Sequence, residues 1–363
     1  MKICMVISTL LSGGAERNAC MLANHLAKNN NVHVITFQAS KNCFYYLTNN
    51  IKVHNLNLLK LSKNPFAKIF NFLKRLNSIR QKLTLEKPDV LISFLETTNI
   101  TVIIASLFLK GIKVKIISDR NNPKKSERPL LNLILKVIFY RFCNHLVLQT
   151  KGIVKLYSFL NKSKIKIIQN TISENVRVKK KKILNKKLKF ISVGRLEQQK
   201  GYDVLIKALH LLRKKNVNFE CDIYGAGSQQ KGIKKLIDQY TLNNHIFLKG
   251  VSNNVLQLYH KYDLYILSSR FEGFPNSLLE ALAARVVSVS SNCNFGPTEI
   301  ISNNNTGIIF KNNEPKDLCE KVYKIISNKK KYSFIRNNLE KKFSLQIYNN
   351  EKFKKWKKLI QID

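Results

Sequence analysis

The chain has 363 residues, 44 % of them hydrophobic, and its 63 Lys and Arg against 22 Asp and Glu give a formal net charge of +41 at pH 7. That apolar content excludes a disordered chain, and the length allows two ordinary domains, each with its own core. Seven cysteines standing singly, with no C-x-x-C pair, argue for reduced thiols in a cytosolic setting and against structural zinc or a disulfide framework.

Met1-Lys2 followed by Ile3 to Ile7 is too short an apolar run for a secretory signal. Lys2 to Ser8 reads as a buried strand, followed by a glycine loop and an amphipathic helix over about 15–28. Further short apolar strands are expected at 32–37, 90–94, 113–118 and 145–149, with helical segments between them. That alternation predicts a parallel sheet with right-handed crossovers. The apolar runs 100–109 and 130–140, the second broken by Lys136, fall short of the roughly 18 residues that span a bilayer. The chain is therefore expected not to be an integral membrane protein. Two basic amphipathic stretches, 60–82 and 124–141, suit either interfacial helices or ordinary surface helices packed on the sheet.

Ile167 to Asn170 reads as the last strand and turn of a first domain, residues 1–172. Residues 173–188 carry Lys179 to Lys182, Lys186 and Lys187 and read as an exposed basic linker. A second domain, 189–344, restarts the alternation: strands at 189–193, 219–224, 245–248, 264–267, 286–289 and 307–310, and helices at 202–215, 229–240 and 275–284. The aromatic and lysine-rich tail from Ser344 reads as a final helix. The expected class is α/β, two Rossmann-like domains.

Four motifs fall just past strand ends, where doubly wound sheets bind ligands. They are Ser12-Gly13-Gly14-Ala15-Glu16-Arg17, Val193-Gly194-Arg195-Leu196 through Lys200-Gly201, Ser269 to Glu280, and Gly296-Pro297-Thr298-Glu299-Ile300. Glycines 13 and 14 let backbone approach a ligand, or simply make a tight turn. Arg195 offers a planar fork and Lys200 a point charge beside one turn, a pairing suited to a diphosphate. In the third motif, Glu272 precedes a helix opened by Pro275 and Glu280 lies two turns inside it. The free N–H groups of that first turn attract an anion, and the two acids can take the hydroxyl-bearing groups on either side of it. A sugar nucleotide is such a molecule. A glycosidase carboxylate pair is the competing chemistry, disfavoured because a helix mouth between the acids invites phosphate. The dinucleotide pattern G-x-G-x-x-G does not follow the first strand. The seven histidines are scattered and no Asp-x-Asp motif occurs, so no metal site is expected.

Together these motifs resemble the E-x7-E signature and accompanying loops of retaining GT-B glycosyltransferases, glycosyltransferase family 4, in the expected order from residue 1 to about 345. The resemblance implies two domains whose parallel sheets face an interdomain cleft, the first for the acceptor and the second for the donor, with the tail helix, 345–363, crossing back to the first. It implies Glu272, Arg195 and Lys200 as catalytic groups, with Arg195 and Lys200 on the donor diphosphate and Glu280 on the ribose hydroxyls. Glu272 would meet the donor sugar, helped by backbone at Gly273, Phe274, Pro275 and Asn276, while Gly13, Gly14 and Val251 complete the donor site. Many relatives carry a histidine after the strand at 113–118, whereas this chain has Ser118-Asp119-Arg120-Asn121-Asn122-Pro123. Arg120 cannot serve as a base, and with Arg17 it is assigned to the acceptor; Asp119 is the neighbouring titratable group. Retaining transfer in this fold is usually thought to proceed at the donor's front face, the leaving phosphate taking the acceptor proton, so a protein base is not required.

The strings Gly13 to Arg17, Phe94-Leu95-Glu96-Thr97-Thr98-Asn99 and Ser118 to Pro123 further resemble bacterial transferases that extend polyprenyl-diphosphate-linked glycans, several of them adding N-acetylgalactosamine. The expected partners are a nucleotide sugar, with UDP its carrier, a polyprenyl-diphosphate-linked glycan acceptor and the anionic inner face of the plasma membrane. No cofactor is expected, the nucleotide sugar being a substrate. Two readings remain beside this one: a nucleotide-sugar epimerase or hydrolase of the same architecture, and a nucleic-acid-binding protein drawn by the charge. Against the latter, no helix-turn-helix, zinc or RNP-type motif is present, so nucleic acid is not an expected partner.

Overall fold

The computed structural model describes residues 1–11, 13–38, 43–59, 65–120, 129–178, 187–252, 254–301 and 305–361. Residues 179–186 of the expected linker, Ser12 and Asn121-Asn122-Pro123 lie outside them. The chain divides into two compact units, residues 1–171 with 350–363, and residues 172–349.

Among the described residues the first unit holds seven parallel strands: β1 Lys2–Ile7, β2 Asn31–Thr36, β3 Lys52–Asn55, β4 Val90–Phe94, β5 Val114–Ser118, β6 His145–Leu148 and β7 Ile165–Ile167. Their spatial order is β3-β2-β1-β4-β5-β6-β7, so the winding reverses between β1 and β4. Helices α1 Gly14–Leu26, α2 Pro65–Glu86, α3 Glu96–Ala105 and α4 Pro129–Phe139 connect them. Along β1 the pleat deals alternate side chains to two cores: Ile3, Met5 and Ile7 to one, Cys4 and Val6 to the other. Sheets covered on both faces read as unbroken apolar runs, which is why β4 is buried at every position. β3 escapes prediction because its sequence, Lys-Val-His-Asn, is mostly polar and it closes the sheet's edge, exposed at one end and half-buried beyond.

The second unit repeats the plan with β8 Leu188–Val193, β9 Phe219–Tyr224, β10 Ile246–Gly250, β11 Leu264–Leu267, β12 Val287–Ser291 and β13 Ile308–Phe310. Its order is β10-β9-β8-β11-β12-β13, with the reversal between β8 and β11. Its helices are α5 Tyr202–Lys214, α6 Gln230–Gln239, α7 Val255–Leu258, α8 Asn276–Ala283, α9 Pro297–Ile300, α10 Pro315–Ser327 and α11 Lys329–Lys342. The last helix, α12 Leu345–Ile360, gives Tyr348 to the second unit's core and Phe353, Trp356, Leu359 and Ile360 to a core of the first. Burying such a side chain is worth about 1.5–3 kcal/mol.

Six of the seven cysteines are buried and Cys43 is half-buried, none in a disulfide. Burial pushes the thiols of Cys4, Cys20, Cys143 and Cys293 up to about 12. Among the described residues no helix is long and apolar enough to cross a membrane.

Candidate active site

The crossover of the second sheet gathers two loops. The loop after β8 carries Gly194, Arg195 and Lys200; the loop after β11 carries Ser268 to Pro275. They are tied by backbone and side chain. Arg270 N–H donates to the Gln199 carbonyl at 2.8 Å, Gln199 Nε2 to the Phe271 carbonyl at 3.0 Å and Ser268 Oγ to the Lys200 carbonyl at 2.9 Å. Arg270 adds a bond to the Gln198 carbonyl at 2.7 Å and one to Asp203 at 2.6 Å. Gly201 sits at φ 62, and a Cβ there would lie 2.2 Å from the Ser268 carbonyl oxygen. Only glycine allows the two loops to approach this closely.

At the meeting point Lys200 Nζ lies 2.7 Å from Glu272 Oε1, with the two side chains 15 % and 7 % exposed. Ser269 Oγ donates to the same carboxylate oxygen at 2.7 Å. Lys200 and Glu272, expected on the donor's diphosphate and sugar respectively, therefore neutralise one another directly. Arg195, five residues before Lys200, is exposed and reaches Gln199 Oε1 at 3.4 Å. The cations thus divide into one held and one open to solvent.

The helix beyond Glu272 begins at Asn276, one residue later than expected. Pro275 is its N-cap at ψ 93, and no side chain caps the helix, so the N-terminal dipole faces its surroundings. Gly296 packs against this proline: a Cβ there would meet Pro275 Cδ at 2.5 Å. Two turns in, Glu280 is buried and accepts from Tyr259 Oη at 3.3 Å. Tyr265 Oη donates to Ser277 Oγ at 2.7 Å. Gly273, Phe274 and Asn276 line this helix mouth, whereas Val251 stands exposed just after β10. Ser269, Tyr259 and Arg270 are not legible as partners in the sequence. Ser269 and Arg270 sit just past β11 in the motif that holds Glu272, whereas Tyr259, in a short turn before that strand, carries no signal.

The remaining site residues belong to the first unit. Gly13 N–H donates to Tyr45 Oη at 3.2 Å, and a Cβ on it would strike the Glu16 carboxylate at 2.0 Å; Gly14 opens α1. Burial raises the Glu16 carboxyl above its ordinary range. Arg17 N–H closes the first turn onto the Gly13 carbonyl. Arg120 lies over the Phe94 ring at 5.3 Å and donates to Asn170. Burial lowers its guanidinium to about 9, which leaves it charged at neutral pH. Asp119, the neighbouring titratable group, is not an open base: Asn99, Tyr140 and Tyr157 donate to it at 2.7, 2.9 and 2.6 Å. The buried Lys136 ammonium stands 3.3 Å from both Asp119 and Glu96. The lysine that interrupts an apolar run in sequence thus answers one buried acid, Asp119, and one half-buried acid, Glu96. The histidines are not all scattered either, since His33, His54 and Glu86 draw together, well away from the motif loops in sequence.

Residues 174–342 match the family model described as glycosyl transferases group 1. Over 99 % of this chain and 98 % of its own length, a Campylobacter jejuni enzyme is 29 % identical; its name is GalNAc-alpha-(1->4)-GalNAc-alpha-(1->3)-diNAcBac-PP-undecaprenol alpha-1,4-N-acetyl-D-galactosaminyltransferase. The chain is a glycosyltransferase. The transferase's fold is GT-B, two Rossmann-like domains with parallel sheets. Sucrose-phosphate synthase from Thermosynechococcus elongatus superposes with a TM-score of 0.82 over 99 % of this chain and 98 % of that one, at 13 % identity. The Anabaena protein HepE, solved in complex with UDP and glucose, matches at 0.76 over 99 % and 100 %, at 15 % identity.

Proposed function

We propose that this transferase is a family 4 enzyme that moves a hexose or N-acetylhexosamine, with retention and without a metal, from a UDP-sugar to a polyprenyl-diphosphate-linked glycan. The second unit takes the donor and the first the acceptor. The observation that carries this is the Lys200–Glu272 pair, 2.7 Å apart, at an uncapped helix mouth on the sheet's crossover. When the glycosidic bond breaks, negative charge grows on the diphosphate. Lys200, Arg195 and the α8 amides supply fixed positive charge there, electrostatic work that a divalent ion does elsewhere. The donor's arrival draws Lys200 toward phosphate and leaves Glu272 to the sugar. Glu280, held by Tyr259, takes the ribose hydroxyls. The acceptor proton passes to the leaving phosphate oxygen, which fits a first unit whose buried Asp119 is already saturated with donors. The lipid-linked acceptor follows from the Campylobacter relative's name together with exposed apolar side chains on α2 (Phe66, Ile69, Phe70) and α4 (Leu130, Ile134). Those helices, with the net charge of +41, suit a peripheral seat on an anionic leaflet.

A thermal-shift panel of nucleotide sugars tests the reading, followed by product analysis with a polyprenyl-diphosphate glycan. UDP-sugars are expected to stabilise the protein, and Arg195→Ala and Glu280→Gln to remove that stabilisation while circular dichroism stays unchanged. Undiminished donor binding in both variants would sink the site. Hydrolysis or epimerisation of donor without acceptor would favour the other enzyme class, and salt-sensitive duplex binding without nucleotide-sugar affinity a nucleic-acid-binding role.

A further inference from the structure

A second cluster lies in the first unit, at the edge of the sheet opposite the ligand loops. His33 on β2 and His54 on the neighbouring β3 face each other, Nδ1 to Nε2, at 3.1 Å. Glu86, the last residue of α2, brings one carboxylate oxygen to 3.0 Å from His33 Nδ1 and the other to 3.5 Å from His54 Nε2. The three side chains are 3 %, 24 % and 11 % exposed. The placement follows from topology: β2 and β3 run parallel in register, and α2 must end here to deliver the chain to β4.

We propose that His33 Nδ1, His54 Nε2 and Glu86 form a binding site for a divalent transition-metal ion. Ligand atoms bonded at 2.0–2.2 Å to one tetrahedral or octahedral ion stand about 3.0–3.5 Å apart; the two ring nitrogens already stand 3.1 Å apart, and one ligand atom from each of the three residues lies within 4.8 Å of the others. One cation can take both ring nitrogens and a carboxylate oxygen at once. Two imidazoles and a carboxylate suit Zn2+ with water in the fourth position. The ion would pin the β2–β3 edge to the end of α2, apart from the transfer chemistry.

The competitors are lysines. Lys2 Nζ and Lys82 Nζ hold the two Glu86 oxygens at 2.7 and 2.8 Å, and Lys52 adds to the local field. Metal must displace at least one of them, which gives the test its direction. Chelator-treated full-length protein is titrated with Zn2+ by calorimetry, and with Co2+ to read the visible absorption of a tetrahedral site. One equivalent is expected to bind and to raise the melting temperature. His54→Ala and Glu86→Gln should each weaken binding at least about tenfold, whereas Lys82→Met should tighten it. Absence of saturable one-equivalent binding, wild-type affinity in His54→Ala, or weaker binding in Lys82→Met would each overturn the proposal. The last result would mark the cluster as an ion-pair network only. None of these outcomes bears on UDP-sugar binding, so this inference and the donor site fail separately.

Discussion

Lys200 and Glu272 face each other across 2.7 Å with little access to water. Removing one partner of such a pair strands the other as an uncompensated buried charge, at a cost of about 3–5 kcal/mol. Glu272→Gln should therefore lower the urea midpoint, and adding Lys200→Met should recover part of the loss. A double-mutant cycle is expected to give a coupling above about 1 kcal/mol; a coupling near zero would mean the pair is not held in solution. Arg195→Ala, at an exposed position, should change stability by no more than about 0.5 kcal/mol while donor affinity collapses. The site was partly legible at this scale. Arg195, Lys200, Glu272 and Glu280 announce themselves through spacing, but the direct neutralisation of Lys200 by Glu272 does not. Nor does the saturation of Asp119 by Tyr140, Tyr157 and Asn99, whose hydroxyls and amide arrive from three other elements.

The two loops of the candidate site owe their contact to glycine. Gly201 and Gly111 both have positive φ, 62 and 92, but a Cβ on Gly201 would stand 2.2 Å from the Ser268 carbonyl, whereas one on Gly111 would meet nothing within 4 Å. Gly111→Ala should thus cost only its backbone strain, about 1–2 kcal/mol. Gly201→Ala should in addition push the β8 loop off the β11 loop and weaken UDP-sugar binding at least about tenfold, since small misplacements are costly in such sites. Equal donor affinity in the two variants would show that the close approach is unimportant. Most strands were visible in the sequence because burial on both faces writes a plain apolar run. β3 was not, being polar and at an edge. Helices α10 and α11 were missed because lysines at 316, 321 and 324 interrupt the apolar positions of the first and lysines at 329–331, 341 and 342 flank those of the second, although they bury Leu318, Val322, Ile335 and Leu339.

For the molecule as a whole, acid should be the weak side. His25 stacks on Phe353 at 3.9 Å, and burial, with Lys357 and Lys28 nearby, lowers it to about 4 from an ordinary 6.5. His33, His54 and His145 are lowered as well, chiefly by burial. A group depressed in the folded state binds fewer protons there than in the unfolded chain, so stability falls as pH drops below 6.5 and the His25 share is spent near pH 4. Glu16 and Glu96, raised by burial, work the other way as they take up protons. Comparing the wild type with His25→Gln isolates the first effect. Between pH 7 and 4 the wild type should lose about 1–2 kcal/mol more than the variant once solvent screening is allowed for, read from urea midpoints. Parallel pH profiles would mean that the ring is not held neutral.

The distribution of sulfur has a practical corollary. With six thiols enclosed and several resisting ionisation up to about 12, the least enclosed sulfur is that of Cys43, itself half-buried and raised by burial. An electrophilic dye at neutral pH should therefore label the native chain slowly, and at position 43 before any other cysteine.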